Sequence, residues 1–146
     1  MTVGGVLETC LYAADLAAAE AFYTGALGLE VLARTPDRHV FFRCGGGVFL
    51  VFNPARTAAE QTYVGGQPVP VHGAEGAGHV AFAVPAGELD AWRERLAGLG
   101  VAVESEVRWP RGGASLYLRD PAGNVVELAS PAIWGLPDPT LRGGEG

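Results

Sequence analysis

The chain has 146 residues, of which 49% are hydrophobic, and a formal net charge of -6. A chain of this length and hydrophobic content is expected to fold as one domain, without disulfides or a structural metal, and is not mainly disordered. Acidic side chains outnumber basic ones, so nucleic acid is not the expected partner. The chain has no lysine, which excludes Schiff-base chemistry.

The first half of the chain predicts a strand, a helix and three further strands. Asp15 is a suitable N-cap for the helix, and Gly28 is a suitable residue to end it. Proline and glycine clusters separate the later strands. The predicted elements are a strand over 6–12, a helix over 16–27, and strands over 29–35, 39–43 and 48–53.

The second half repeats this plan in the same order. Its helix carries an apolar stripe formed by Leu89, Trp92, Leu96 and Leu99. Gly100 is predicted to end that helix. The predicted elements are a strand over 78–84, a helix over 88–99, and strands over 101–109, 114–119 and 124–129.

This repetition predicts an α+β protein built from two β-α-β-β-β units. We place unit one at 6–54, a linker at 55–77, unit two at 78–131 and a tail at 132–146. A linker of that length without structure of its own would join units or cover a site. In the tail, the large apolar side chain of Trp134 predicts docking against the protein.

Strand alternation places many polar side chains on the sheet face opposite each helix. Burial of an unpaired carboxylate or imidazole is costly, so these groups are expected to pair, bind a ligand or contact water. Small alanines at 81, 83 and 129 would leave room for a ligand beside them. The polar residues assigned to this face are Glu8, Tyr12, His39, Arg43, His79, Tyr117, Arg119 and Glu127.

Two local motifs carry a resemblance to a known family. One is the turn and strand Asp120-Pro121-Ala122-Gly123-Asn124-Val125-Val126-Glu127-Leu128, and the other is Gly78-His79-Val80-Ala81-Phe82. With the duplicated plan, they resemble the vicinal oxygen chelate superfamily, which includes glyoxalase I, extradiol dioxygenases and bleomycin-resistance proteins. The resemblance covers residues 6–131 and implies that the two units form a cup-shaped mixed sheet.

In that family the cup holds a divalent metal whose ligands come from the first and last strands of the units. The resemblance therefore implies Glu8, His79 and Glu127 as metal ligands. The fourth family position falls near Val51, in a strand without a donor side chain, so the four-ligand pattern of glyoxalase I is incomplete. One histidine with two carboxylates suits Mn, Ni, Co, Zn, Mg or Fe, and leaves the metal identity open.

The resemblance implies a metal-dependent enzyme that chelates two neighbouring oxygens of a small substrate and stabilises developing negative charge. Glu8, Glu127 or, less directly, His72 would serve as the base. Isomerase, lyase, transferase and dioxygenase chemistry all remain open. The alternative from another class is a metal-free protein that sequesters a small molecule, and a third is an interaction module.

The remaining predictions concern the pocket and the surroundings of the protein. The predicted pocket residues are Tyr12, His39, Arg43, Tyr117 and Arg119. No apolar run reaches the roughly 18 residues needed to cross a bilayer, and no export signal is evident, so we expect a cytoplasmic protein without a membrane partner. A homodimer is the expected assembly, with the cup formed within one chain or across two.

Overall fold

A computed structural model describes residues 1–139 of the chain. Within them, ten strands, three helices and two single turns of 3-10 helix are formed. The strands are β1 (Glu8–Tyr12), β2 (Glu30–Thr35), β3 (His39–Cys44), β4 (Gly47–Phe52), β5 (Thr62–Val64), β6 (Gln67–Val69), β7 (His79–Ala83), β8 (Ser105–Arg108), β9 (Ala114–Arg119) and β10 (Val125–Ala129). The helices are α1 (Leu16–Gly25), α2 (Pro54–Thr57) and α3 (Leu89–Gly98), and the 3-10 turns are Ala86–Glu88 and Pro131–Trp134.

Two four-stranded sheets have the same strand order. The first runs β1-β4-β3-β2 and the second runs β7-β10-β9-β8. In each sheet the first and last strands of the repeat pair in parallel, and the other neighbours are antiparallel. These two mixed sheets confirm the predicted α+β fold class and the repeated β-α-β-β-β plan.

The chain divides into two compact units whose limits differ slightly from the repeats. Unit 1 contains residues 1–78 together with the short segment 121–124. Unit 2 contains residues 79–120 and, within the described part of the chain, 125–139. The turn that joins β9 to β10 therefore belongs to unit 1, although the strands on either side of it belong to unit 2.

Each unit has its own apolar core between helix and sheet. In unit 1, Tyr23 of α1 packs edge-on against Phe49, with ring centroids 4.8 Å apart, and both side chains are fully buried. Asp15 caps α1, since its carboxylate accepts the backbone N–H of Ala18 at 2.9 Å. In unit 2 the buried core is formed by Leu89, Leu96, Leu116, Leu118, Val126 and Leu128.

Three expectations from the sequence are wrong. The linker is not structureless, because α2 and the β5–β6 hairpin lie within it. Leu99 is 53% exposed because α3 ends at Gly98, so the apolar stripe stops before it. Trp134 is 79% exposed rather than docked, since it ends a 3-10 turn that Gly135 closes in the left-handed conformation. Tail residues 140–146 lie outside the described part of the chain.

Among residues 1–139, no helix has the length and apolar character required to cross a bilayer.

Candidate functional site

The strand registers define which positions of the two units correspond. Glu8 lies opposite Val48 in the β1–β4 pair, and His79 lies opposite Val125 in the β7–β10 pair. Glu127, two residues after Val125, therefore corresponds to Leu50. The sequence spacing pointed near Val51, one residue further, where the side chain faces the helix and is fully buried. The conclusion that unit 1 has no donor at this position is unchanged.

His79 is held in one orientation on the face of the second sheet. Its Nδ1 lies 3.2 Å from the carbonyl oxygen of Val125. A carbonyl oxygen only accepts hydrogen bonds, so Nδ1 carries a proton. The other ring nitrogen, Nε2, lies 3.2 Å from Oε2 of Glu127. The backbone of β10 therefore directs the basic nitrogen of His79 towards the carboxylate.

Glu127 is 5% exposed, and its carboxylate is oriented by a chain of hydrogen bonds. The indole Nε1–H of Trp109 donates to the hydroxyl oxygen of Ser115 at 2.9 Å. The Ser115 hydroxyl in turn donates to Oε1 of Glu127 at 2.5 Å. Oε1 is thus engaged by protein, while Oε2 faces the imidazole of His79. Carboxylates that ligate metals are commonly oriented by hydrogen bonds of this kind.

Tyr117 completes the polar group in unit 2. It lies directly opposite Glu127 in the β9–β10 pair, and its ring stacks near that of His79, with centroids 6.4 Å apart. Burial raises the pKa of the Tyr117 hydroxyl, and the negative charge of Glu127 raises it further. Tyr117 is therefore a neutral phenol at neutral pH, able to donate a hydrogen bond.

The His79–Glu127 pair fits two neighbouring ligands of one divalent cation. Ligand atoms at about 2.1 Å from a metal, at tetrahedral or octahedral angles, lie about 3 to 3.5 Å apart, which matches the observed 3.2 Å. A histidine whose second nitrogen donates to a backbone carbonyl is the usual arrangement for a metal ligand. Within either unit, no described group of three or more His, Cys, Asp or Glu side chains is arranged to hold a metal. His79 and Glu127 of unit 2 are the two side chains whose spacing would suit a metal.

Glu8 and the two predicted pocket arginines belong to other strands of the two sheets. Glu8 begins β1 in unit 1 and is exposed. Arg43 lies 3.6 Å from Glu30, and Arg119 donates to Glu104 at 2.7 Å. The Arg119 guanidinium lowers the pKa of the Glu104 carboxyl. Both arginines thus pair with carboxylates of neighbouring segments, and their role in substrate binding stays a prediction.

Unit 1 brings three other predicted residues to one face of its sheet. The hydroxyl of Tyr12 lies 2.7 Å from Nδ1 of His72. The His72 ring meets Phe52 edge-on at 4.7 Å, and Phe52 in turn meets the His39 ring at 5.9 Å. His39 stacks on Phe41 with ring centroids 3.9 Å apart. The face that carries Glu8 is therefore covered at its far end by an aromatic cluster, which we define as Tyr12, His39, Phe41, Phe52 and His72.

At the end of its sheet face, unit 2 has two alanines where unit 1 has the rings of Tyr12 and Phe52. By register, Ala83 corresponds to Tyr12, and Ala129 corresponds to Phe52. A cavity of about 360 Å³ opens here. We call it the alanine groove; the residues that line it include Ala81, Phe82, Ala83, Ala129, Ile133 and Trp134.

Sequence reasoning missed the residues that orient the site. Ser115 and Trp109 hold Glu127, and neither is among the site residues predicted from the sequence. Ser115 lies two residues before Tyr117 in β9, so strand alternation puts both on one face and offers a signal for it. No pattern in the sequence indicated that the indole of Trp109, on the loop after β8, would reach back to Ser115.

Comparison with known proteins agrees with this architecture. A crystal structure of lactoylglutathione lyase from Agrobacterium tumefaciens is 42% identical, with a TM-score of 0.85, covering 93% of this chain and 100% of that one. A glyoxalase/bleomycin resistance protein/dioxygenase from Nocardioides is 24% identical, with a TM-score of 0.67, covering 99% of this chain and 88% of that one. A fosfomycin resistance protein from Listeria monocytogenes is 24% identical, with a TM-score of 0.65, covering 90% and 97%.

The last two comparisons, at this level of identity, show the shared fold alone. A family model provides the assignment, since it matches residues 5–128 and thus most of the chain. The chain belongs to the glyoxalase/bleomycin resistance protein/dioxygenase superfamily.

Proposed function

We propose that this protein is a divalent-metal-dependent enzyme that binds a small substrate through two neighbouring oxygen atoms. His79 and Glu127 would hold the cation from unit 2, and Glu8 would complete the set from unit 1. The single observation that supports this most is the 3.2 Å approach of His79 Nε2 to Glu127 Oε2. Imidazole nitrogen and carboxylate oxygen are both common metal-ligating atoms, and the contact of Nδ1 with a carbonyl leaves Nε2 as the ring nitrogen directed at the carboxylate.

The chain's own residues would prepare the reaction in three ways. The Ser115 hydroxyl fixes Oε1 of Glu127, so the carboxylate presents Oε2 in one direction. The Tyr117 hydroxyl, kept neutral by burial and by Glu127, is hydrogen bonded to Glu127 and would turn to a substrate oxygen when one binds. A carboxylate, Glu8 or Glu127, would accept the proton that the substrate loses. A bound divalent cation supplies Lewis acidity that stabilises negative charge developing on substrate oxygen.

Lyase or isomerase chemistry is the reaction class we favour. The relative at 42% identity is described as a lactoylglutathione lyase and is covered over its full length. Leu50 at the fourth family position leaves this chain with one donor fewer than glyoxalase I. We therefore propose the type of chemistry, proton movement beside two substrate oxygens, and leave the substrate of that relative as one candidate among several.

Metal binding tests the proposal directly. Protein stripped with a chelator would be titrated with Mn, Co, Ni and Zn, and its metal content measured after dialysis. We expect His79→Ala and Glu127→Ala to weaken binding by about 100-fold or more, because losing an outer-shell partner alone costs roughly 10 to 100-fold. Glu8→Ala should also weaken it. Glu94→Ala, on the exposed side of α3, is the matched control and should bind as the wild type does.

A metal-free binding protein is the second candidate, and one observation favours it. No group of three or more potential ligands is arranged for a metal within either unit, over residues 1–139. In that case the wild type and all four variants would contain the same negligible metal after dialysis. A small molecule that raises the melting temperature equally with and without chelator would establish this alternative.

A further inference from the structure

Trp109 is the partly exposed member of the hydrogen-bond chain that ends at Glu127. It is 39% exposed, whereas Ser115 is fully buried and Glu127 is 5% exposed. The indole Nε1–H donates to the Ser115 hydroxyl at 2.9 Å, and that hydroxyl donates to Oε1 of Glu127. The chain of bonds therefore links the turn between β8 and β9 with a buried carboxylate of β10.

The chemistry of the three groups fixes the direction of these bonds. An indole nitrogen only donates, and a carboxylate only accepts. The Ser115 oxygen must therefore accept from Trp109, which leaves its single hydrogen for Glu127. Since the bonds of a buried chain polarise one another, the indole N–H strengthens the bond from Ser115 to Glu127.

The backbone that carries the indole is held in a closed turn. The N–H of Trp109 donates to the carbonyl of Gly113 at 3.0 Å, and the N–H of Gly112 donates to the carbonyl of Trp109 at 3.0 Å. Both glycines have positive φ, 109° and 79°, which other residues rarely adopt. The next residue, Ala114, donates its N–H to the hydroxyl of Ser130 at 3.0 Å. The turn therefore presents the indole to Ser115 from a fixed position.

Loss of the indole N–H would release the Glu127 carboxylate. The Tyr117 hydroxyl is also hydrogen bonded to Ser115, so the Ser115 hydroxyl has a second neighbour to which it can turn. Oε1 of Glu127 would then lose its partner, and Oε2, which lies 3.2 Å from Nε2 of His79, would no longer be held. Removing the outer partner of a metal ligand typically lowers metal affinity by about 10 to 100-fold.

We propose that Trp109 is a positioning residue of the candidate metal site, and that it acts through Ser115 to hold the Glu127 carboxylate with Oε2 directed at the cation. This inference rests on the proposed function, because Glu127 is taken to be a metal ligand. It adds that the turn between β8 and β9 sets the metal affinity, although Trp109 itself would not touch the cation.

Zinc affinity in a double-variant cycle tests this role. Trp109→Phe keeps an aromatic ring in the turn but has no N–H to donate, and Ser115→Ala removes the hydroxyl. We expect each variant to bind zinc at least about tenfold more weakly than the wild type, measured by competition with a chromogenic chelator. The double variant should bind no more weakly than Ser115→Ala alone, because Trp109 acts through Ser115. Trp134→Phe, at a tryptophan that is 79% exposed, is the matched control and should bind as the wild type does.

A spectroscopic measurement on the wild type leaves the chain of bonds intact. The protein contains three tryptophans, and the variants Trp92→Phe and Trp134→Phe assign their indole N–H signals in a proton–nitrogen spectrum by elimination. Zinc should shift the signal of Trp109, because a cation on Oε2 of Glu127 withdraws electron density from the carboxylate and so changes both bonds of the chain. The signals of Trp92 and Trp134 should stay in place, and Ser115→Ala should remove the response of Trp109.

The outcomes separate this inference from the proposed function. If Trp109→Phe and the wild type bind zinc equally tightly, Trp109 does not position the ligand, although the metal site stands. If Trp109→Phe weakens binding as much without the Ser115 hydroxyl as with it, the ring acts by packing, which also overturns the inference. Should Trp109→Phe fail to fold, an unmoved Trp109 signal in the zinc-loaded wild type would overturn the inference, and a shifted one would support it. If the wild type binds none of the four cations, the proposed function fails and this inference fails with it.

Discussion

At the scale of single residues, histidines in this chain differ in what surrounds them. His79 has both ring nitrogens engaged, by Val125 and Glu127. His39, in contrast, stacks on Phe41, and its Nδ1 is buried without a hydrogen-bond partner among the described residues. Burial and the nearby Arg38 lower the pKa of His39 below its ordinary 6.5. The same side-chain type therefore serves two purposes, and sequence alone distinguishes neither.

The lowered pKa of His39 predicts a pH dependence of stability. The unfolded chain binds a proton near pH 6.5, and the folded protein does so only at lower pH. The stabilising contribution of neutral His39 is therefore complete above 6.5 and is lost as pH falls towards the folded pKa. We expect His39→Phe, which retains the ring stack, to lose less stability than the wild type between about pH 7.5 and 5.

Urea unfolding at several pH values measures this difference. Paired carboxylates such as Glu104 and Glu106 have lowered pKa values, so their effects arise below the ordinary 4.5 and do not overlap this window. Parallel stability curves for the variant and the wild type would contradict the prediction.

A second residue-scale prediction concerns the Tyr12–His72 hydrogen bond. Tyr12→Phe removes the hydroxyl that lies 2.7 Å from Nδ1 of His72 and should cost at most about 1 kcal/mol, because the bond is exposed. The local effect should be larger than the global one. Amide exchange at His72, whose N–H donates to Thr57, should accelerate. Tyr63→Phe, at an exposed tyrosine, is the control; unchanged exchange at His72 in Tyr12→Phe would refute the prediction.

At the scale of elements, most strands and both long helices could be predicted from periodicity and turn residues. The strand over 114–119 matches β9 at both ends, and Asp15 caps α1 as the sequence indicated. The β5–β6 hairpin could not be predicted, because its two three-residue strands are too short to show alternation. The exposure of Trp134 could not be predicted either, because hydrophobicity alone does not show which large side chains are buried.

The contact between the β8–β9 turn and the 3-10 turn gives a prediction at this scale. Gly113 has φ of 79°, and a Cβ there would lie 2.7 Å from the Ser130 hydroxyl and 2.9 Å from the Ile133 nitrogen. We expect Gly113→Ala to destabilise the protein by about 2 kcal/mol or more, from backbone strain and from displacement of the 3-10 turn. It should also loosen the wall of the alanine groove.

Gly100→Ala separates these two causes. Gly100 has φ of 70°, but a Cβ added there would meet nothing within 4 Å, so this variant carries the strain alone. Thermal unfolding of both variants should show the larger loss for Gly113→Ala. Equal losses of stability in the two variants would mean that the 3-10 turn moves aside without a free-energy cost.

At the scale of the whole molecule, the compact units do not coincide with the repeats. Asn124, in the segment 121–124, is almost fully buried in unit 1. Its amide donates to the Tyr12 carbonyl at 3.0 Å, and its oxygen accepts the backbone N–H of Gly78 at 2.8 Å. The sequence predicted a tight turn at this point, but the long-range partners of Asn124 could not be predicted from local pattern.

Asn124→Ala should therefore cost about 2 to 4 kcal/mol, because two backbone groups lose their partner. Asn124→Asp keeps the acceptor for Gly78 but turns a buried carboxylate oxygen towards the Tyr12 carbonyl, so it should also be destabilising. Gln67→Ala, at an exposed position, is the control. Chemical unfolding of the three variants measures the differences, and a loss for Asn124→Ala no larger than that of the control would contradict this role.

The candidate site could be predicted only as far as it depends on strand alternation. Alternation along β7 and β10 placed His79 and Glu127 on one face, and the structure brings them to 3.2 Å. The place of Glu8 relative to them stays a prediction, because it depends on the arrangement of two units rather than on the register of one sheet. Local periodicity determines on which side of its sheet a side chain lies. Which residues of the other unit approach that side depends on how the two units pack, and local periodicity carries no information on this.

The membership of segment 121–124 in unit 1 also affects how the protein is made. A ribosome completes β1 to β6 well before it reaches Asn124, since β7, α3, β8 and β9 are translated in between. The nascent first half therefore emerges without the amide that joins Tyr12 to Gly78. Its final closure must await synthesis of most of the second half, which couples the folding of the two duplicated halves during translation.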